Sequence, residues 1–235
     1  MTTSTERVFA ELREMIVGGE LAAGSQHSIY RLADHLAVSR TPVREAVLRL
    51  ADLGLVSIER NRGVRIRGVT VDDIRAVFEL RLLLEVPVAR AAAASDGTDV
   101  FPAVDERLRR MRVAESLGDE TAFNEADREF HALITACLDN PVLTGEVDRL
   151  RDTIQARGVS TIGRSRPMGE IVAEHALIAD ALRAGDPDAA GGRMADHLER
   201  TGYLLMTQVA PGPGAVDPAW AVRVRRLVNS VAPIQ

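Results

Sequence analysis

From Thr70 to about residue 208 the sequence reads as helix and nothing else, and this constrains the fold more than any other feature. Helical segments are predicted over about 70–94, 99–117, 119–138, 140–158, 167–184 and 186–208. The breaks fall at Ser95-Asp96-Gly97, Gly118, Asn140-Pro141, Gly163 to Pro167 and Gly185-Asp186-Pro187, where glycine and proline stop or restart a helix. Thr70 suits the first N-cap, and Asp72 and Asp73 favour the positive end of that helix. Pro87 predicts a kink in it. Aromatic residues are 3% of the chain, so the core must be built from Leu, Val, Ile and Ala, which suits packed helices better than a β-sandwich. The expectation is a bundle of six helices, then a flexible linker over 210–216. The tail from Asp217 suggests one amphipathic helix with Trp220, Val222, Val224 and Leu227 on a face.

Residues before Thr70 follow a different pattern. Val8, Leu12, Met15 and Ile16 have helical spacing within 4–18, and Gly18-Gly19 ends the run. A short helix is predicted from Ile29 to Leu36, then a tight connection at Ala37-Val38. A third helix runs to about Leu53, with Ser39 or Thr41 as cap and Pro42 in its first turn. Leu55–Ile58 and Gly63–Arg67 each alternate apolar and polar residues across the turn Glu59-Arg60-Asn61-Arg62, a hairpin pattern. Three helices followed by a hairpin predict a winged helix-turn-helix. The fold class expected is mainly α, with this module at 1–69, an all-α sensing and dimerisation domain at 70–209, and a linker and tail at 210–235.

The net charge of −5 argues against nucleic acid, but its distribution does not. Arg31 to Arg67 holds eight Arg against Asp34, Glu45, Asp52 and Glu59, a net of +4, whereas 70–235 holds 19 Arg and 26 acids, a net of −7. The third helix has an apolar back (Val43, Ala46, Val47, Leu50) and a basic front near its N-terminus (Arg40, Thr41, Arg44, with Arg49 further along). That is what a helix seated in the major groove requires, since Arg pairs bidentately with guanine edges. Ser39 and Arg31 lie beside it in sequence, and Arg60 and Arg62 at the wing tip suit phosphates or the minor groove. The expected partner is double-stranded operator DNA. Cys137 is the single cysteine, so no disulfide framework exists, and no stretch approaches a membrane span; a cytoplasmic protein without membrane contact is expected.

Asp127, His131, His175 and His197 form a second constellation. Asp127 and His131, four apart, share one helical face, and three of the chain's five His fall in this set. Imidazoles plus a carboxylate suit a divalent metal ion, zinc first, with nickel, manganese or iron possible. Spacing alone leaves open that the His are hydrogen-bonded core residues and that Asp127–His131 is an exposed ion pair. Arg81 is a candidate anchor for a carboxylate effector or, equally, the partner of Glu85 one turn on.

Ser39-Arg40-Thr41-Pro42-Val43-Arg44-Glu45-Ala46, Leu50, Gly54-Leu55-Val56 and Arg62-Gly63-Val64 closely resemble the DNA-binding domain of GntR-type regulators. Ser25 to Tyr30 departs from that pattern, which puts an operator contact by Tyr30 and Arg31 in question. Glu79-Leu80-Arg81 with Glu85, Asp127–His131, Asn140-Pro141, Glu174-His175 and His197-Leu198 resemble the FCD ligand-binding domain of the FadR branch, in its six-helix, VanR-like form. The resemblance implies a homodimeric repressor in which the Asp and three His bind metal and a small organic acid is sensed there. The first apolar helix of the bundle (Val77, Leu80, Leu84) is one dimer surface to expect. The rivals are a metal-responsive regulator with the ion as signal, a metal-dependent hydrolase and a metal-free acyl-CoA sensor. No general base stands out for hydrolysis, so an enzyme is not expected.

Overall fold

The computed structural model describes residues 4–60, 62–95, 101–156 and 158–230. The chain divides into two compact units, Met1–Thr70 with Thr153–Val159, and Val71–Asp152 with Ser160–Gln235.

In the first unit, α1 (Ser4–Val17), α2 (Ile29–His35) and α3 (Arg40–Asp52) surround one apolar core. α1 contributes Val8, Leu12 and Met15, one helical stripe, and α3 contributes Val43, Ala46, Val47 and Leu50. Ser28 caps α2 by accepting from the Arg31 N–H at 3.1 Å. Ser39 occupies the cap position of α3 without a side-chain bond to the helix. The turn between the two helices holds Ala37 in the left-handed region (φ 50°), with Val38 N–H donating to Ala33 O. α3 ends at Gly54 (φ 70°), and Leu55 N–H reaches back to Leu50 O at 2.9 Å.

The wing consists of β2 (Val56–Glu59) and β3 (Gly63–Ile66), antiparallel in the register Val56↔Ile66. A third strand, β1 (Gln26–His27), pairs on the other side of β3, giving the order β1-β3-β2. This strand is not foreseen from the sequence, because two residues cannot show an alternating pattern. Gly63 makes this arrangement possible. Its φ is +94°, and an added Cβ would lie 2.3 Å from the His27 carbonyl oxygen. Gly63→Ala is therefore expected to destabilise this unit by about 2 kcal/mol, a backbone-strain and clash effect. A thermal melt would show it as a drop of roughly 8–16 °C for a unit of this size.

The elements of the second unit, among its described residues, are helices: α4 (Val71–Ala94), α5 (Phe101–Leu117), α6 (Glu120–Ala136), α7 (Pro141–Ala156, whose residues from Thr153 on belong to the first unit), α8 (Met168–Arg183), α9 (Pro187–Val209) and α10 (Val222–Ser230). Six of these match the expected bundle. Asp119 and Asp186 cap α6 and α9, each accepting from a backbone N–H at 2.9 Å. α4 runs unbroken through Pro87 and packs on α9, α6 and α8. It buries residues along its whole length, including two charged ones, Arg81 and Glu85.

The tail differs from the expected stripe. α10 packs on α4 and buries Val228, with Ala221 buried just before the helix and Val224 and Arg225 partly covered between them. Val222 and Leu227 are exposed. The 3–4 residue spacing is helical but shifted one position, since Arg225 is drawn in by Asp196 and Glu199. Trp220 sits over Gly202, where a Cβ would come within 2.9 Å of its ring.

Candidate functional site

Helical spacing and bundle packing bring Asp127 and His131 on α6, His175 on α8 and His197 on α9 to one point. One potential ligand atom from each lies within 4.8 Å of all the others. The three imidazoles are almost fully buried, and Asp127 is partly so. His175 Nε2 is 3.3 Å from His131 Nε2 and 2.9 Å from Asp127 Oδ1. The Phe130 ring stands edge-on to His175 at 4.7 Å and closes one side of the cluster.

The outer nitrogen of each ring is held by an acceptor. His131 Nδ1 donates to Glu85 Oε2 at 2.5 Å, His175 Nδ1 to the Ile171 carbonyl at 2.8 Å, and His197 Nδ1 to Glu174 Oε2 at 2.8 Å. Carboxylates and carbonyls only accept, so these contacts assign the ring proton to Nδ1 and turn each Nε2 lone pair inward. Burial, followed by the Arg151 charge, pushes His131 down to about 3. Burial, followed by His175, pushes His197 down to about 4. Both rings are thus neutral near neutral pH. Burial would raise the Asp127 carboxyl, but the Arg151 guanidinium and the His175 contact outweigh it and hold the group well below the usual carboxylate range.

The result is four groups that offer lone pairs to one another. Contacts of 3.3 and 2.9 Å between such groups are ones that a cation held in their midst would favour. A proton on His175 would serve one contact at a time, whereas a metal ion serves all four. Two imidazole nitrogens bound to one zinc ion at about 2.0–2.1 Å in tetrahedral array stand about 3.3 Å apart. The donor set and spacing therefore fit a divalent cation of the N/O-binding kind, and the outer hydrogen bonds orient the ligands as such sites require.

Sequence reasoning named the four residues that converge here but missed most of the groups that support them. Arg166, buried, pairs with Glu174 at 2.7 Å and donates to Thr201 Oγ1 at 2.6 Å, which fixes the carboxylate under His197. Arg151 on α7 pairs with Asp127 Oδ2. Arg81 takes the ion-pair alternative: its Nε and Nη2 reach the Glu85 carboxylate at 2.6 and 3.4 Å, and its guanidinium lies 5.0 Å from the centre of the Phe78 ring. Arg81 thus acts on His131 through Glu85. The signal for this was present, because Glu85 lies at i+4. Arg151 and Arg166 gave none, since their partners are 24 and 8 residues away on other faces.

In the first unit, Arg31, Ser39, Arg40, Thr41, Arg44, Arg49, Arg60 and Arg62 are all exposed. Ser39, Arg40, Thr41 and Arg44 cluster at the N-terminal end of α3, opposite its buried face. The Arg49 guanidinium lies 4.3 Å from the centre of the Phe9 ring, so packing against α1 occupies part of its surface.

Residues 4–66 match the family model "Bacterial regulatory proteins, gntR family", and residues 76–200 match "FCD domain". The chain belongs to the GntR family. This GntR regulator is 28% identical over 194 residues to the HTH-type transcriptional repressor RspR of Escherichia coli, covering 83% of this chain and 85% of that protein. It is 32% identical over 225 residues to a probable D-xylose utilization operon transcriptional repressor of Paenarthrobacter nicotinovorans, covering 90% and 93%. Among solved structures, a putative GntR regulator from Rhodococcus matches with a TM-score of 0.61 and 28% identity, over 86% of this chain and 97% of that one. Escherichia coli McbR/YncC shares the fold, with a TM-score of 0.63 at 22% identity over 88% and 99%. The protein is a DNA-binding transcription regulator and not an enzyme. No helix among its described residues is long and apolar enough to cross a membrane.

Proposed function

We propose that this GntR regulator is a repressor that binds its operator as a homodimer and is modulated by a small carboxylate at a metal ion held by Asp127, His131, His175 and His197. The observation that carries the reading is the convergence of those four ligand atoms, with every outer imidazole nitrogen already committed to an acceptor. Zinc is the first choice, and nickel, manganese or iron suit the same donors. When bound, the ion supplies a Lewis-acidic attachment point for a carboxylate oxygen. Arg40, Thr41 and Arg44 enter the major groove of the operator, Ser39, Arg31 and Arg49 touch its backbone, and Arg60 and Arg62 reach phosphates or the minor groove. Two-fold symmetry matches two such helices to a palindrome. Both repressors named above resemble this chain over most of its length, which supports repression as the direction of control.

The effector must bind the free and operator-bound forms with unequal affinity. The test is operator binding by zinc-loaded protein in the presence of acetate, lactate, succinate or citrate, with acetamide as neutral control. At least one carboxylate is expected to weaken operator affinity about tenfold, a coupling of about 1.4 kcal/mol. Affinity that responds to zinc removal and to no carboxylate would replace this reading with a metal-responsive regulator.

A further inference from the structure

Gln26 on β1 reaches across the wing. It lies in the stretch from Ser25 to Tyr30 that departs from the GntR pattern. β1 pairs with β3 in the register Gln26↔Arg65, so Gln26 stands beside the β2–β3 hairpin without belonging to it. Its Nε2 donates to Glu59 Oε2 at 3.0 Å and to the Arg62 carbonyl at 2.9 Å. Glu59 and Arg62 are the two ends of the wing turn, already joined by the Arg62 N–H to the Glu59 carbonyl at 3.1 Å. A carboxylate and a carbonyl only accept, so the amide nitrogen must face them, and both its hydrogens are used. One carboxamide thus spans the turn.

Arg65 completes the arrangement. Its Nε donates to Glu59 Oε1 at 2.5 Å, and its Nη1 to the Gly24 carbonyl at 3.0 Å, just before β1. Glu59 is the only acid between Val56 and Arg67. Left unpaired, it would compete with operator phosphates for Arg60 and Arg62. Arg65 and Gln26 occupy its two oxygens instead, and Arg60 and Arg62 stay exposed. A two-stranded hairpin is marginal by itself, and two like charges in its turn repel. Gln26 supplies a hold from outside the hairpin. The β1 backbone lies so close to Gly63 that the strand fixes where this side chain starts.

We propose that Gln26 is a positioning residue for operator binding: its carboxamide fixes the wing turn, so that Arg60 and Arg62 meet the duplex already ordered. Gln26 does not touch the DNA. It acts by removing the cost of ordering the turn when the operator binds. The proposal rests on the wing contact argued above and names the residue that prepares it.

The experiment is a double-mutant cycle on the full chain, read as affinity for an operator selected from random DNA. Gln26→Met keeps the length of the side chain and removes both donors. Gln26→Thr favours the strand but is too short to reach the turn, and it serves as a second variant. Each is made in the wild type and in Arg60→Ala with Arg62→Ala. In the wild type, either substitution is expected to weaken binding about threefold to tenfold, the size of one or two exposed hydrogen bonds. In the wing-less background the same substitution should change affinity by less than about twofold, because the groups it positions are gone. Melting temperatures should shift by no more than a few degrees. An equal loss in both backgrounds would show that Gln26 acts on the DNA or the fold directly, and would overturn the proposal. So would a melting temperature lowered by more than about 10 °C in both variants. If the Arg60/Arg62 variant binds more weakly and the Gln26 variants bind like wild type, only the positioning role falls. If the Arg60/Arg62 variant binds like wild type, the wing contact itself falls, and the role of Gln26 with it.

Discussion

Replacing His175 with alanine is expected to remove the metal ion and every stability gain that depends on it. His175 is fully buried: it touches His131, His197, Asp127 and Phe130, and its Nδ1 donates to the Ile171 carbonyl. Alanine deletes one proposed metal ligand and leaves a cavity among buried side chains, while the Ile171 carbonyl keeps its helical backbone donor. The cavity destabilises the fold by a few kcal/mol whether or not metal is present. The metal-dependent part is separable by linkage. An ion present at about a thousand times its dissociation constant adds about 4 kcal/mol to the wild type. Melts with excess zinc and with chelator should therefore differ by many degrees in wild type and by little in His175→Ala. An equal zinc-dependent shift in the variant would show that the ion binds elsewhere.

The second large effect belongs to the other unit. Arg40→Ala with Arg44→Ala is expected to lower affinity for an operator selected from random DNA about a hundredfold or more. Each bidentate contact to a base is worth about 1–3 kcal/mol. Both side chains are exposed, so the melting temperature should barely move, a surface substitution being worth within about 0.5 kcal/mol. Arg60→Ala with Arg62→Ala should act differently. Phosphate contacts carry no sequence information, so binding should weaken on all sequences alike, and the salt dependence should flatten by about one unit for each phosphate left unneutralised. Unchanged operator affinity in the first double variant would remove α3 as the reading helix.

Elements that are locally determined could be read from the sequence. The helices of both units follow from apolar spacing, and their ends from Asp119, Gly118, Asp186 and Pro187, whose effects act within one turn. The quartet could be named because Asp127 and His131 share a turn, His is rare in this chain, and the surrounding residues resemble the FCD domain; spacing alone left core histidines open. What escaped depends on tertiary pairing. β1 exists only because β3 offers an edge beside it. The register of α10 is set by Arg225 between two acids of α9. Arg151 and Arg166 are ordinary arginines until the bundle places Asp127 and Glu174 against them. Arg81 was ambiguous for the same reason: one turn from Glu85, it could serve a ligand or its neighbour, and burial of both side chains brings it to the neighbour.

The most direct measurement is anomalous diffraction at the zinc edge from crystals of the zinc-loaded chain. A single strong peak should lie between Asp127, His131, His175 and His197, with ligand distances of about 2.0–2.2 Å. A peak at other residues, or none among these four, would contradict the sensing centre.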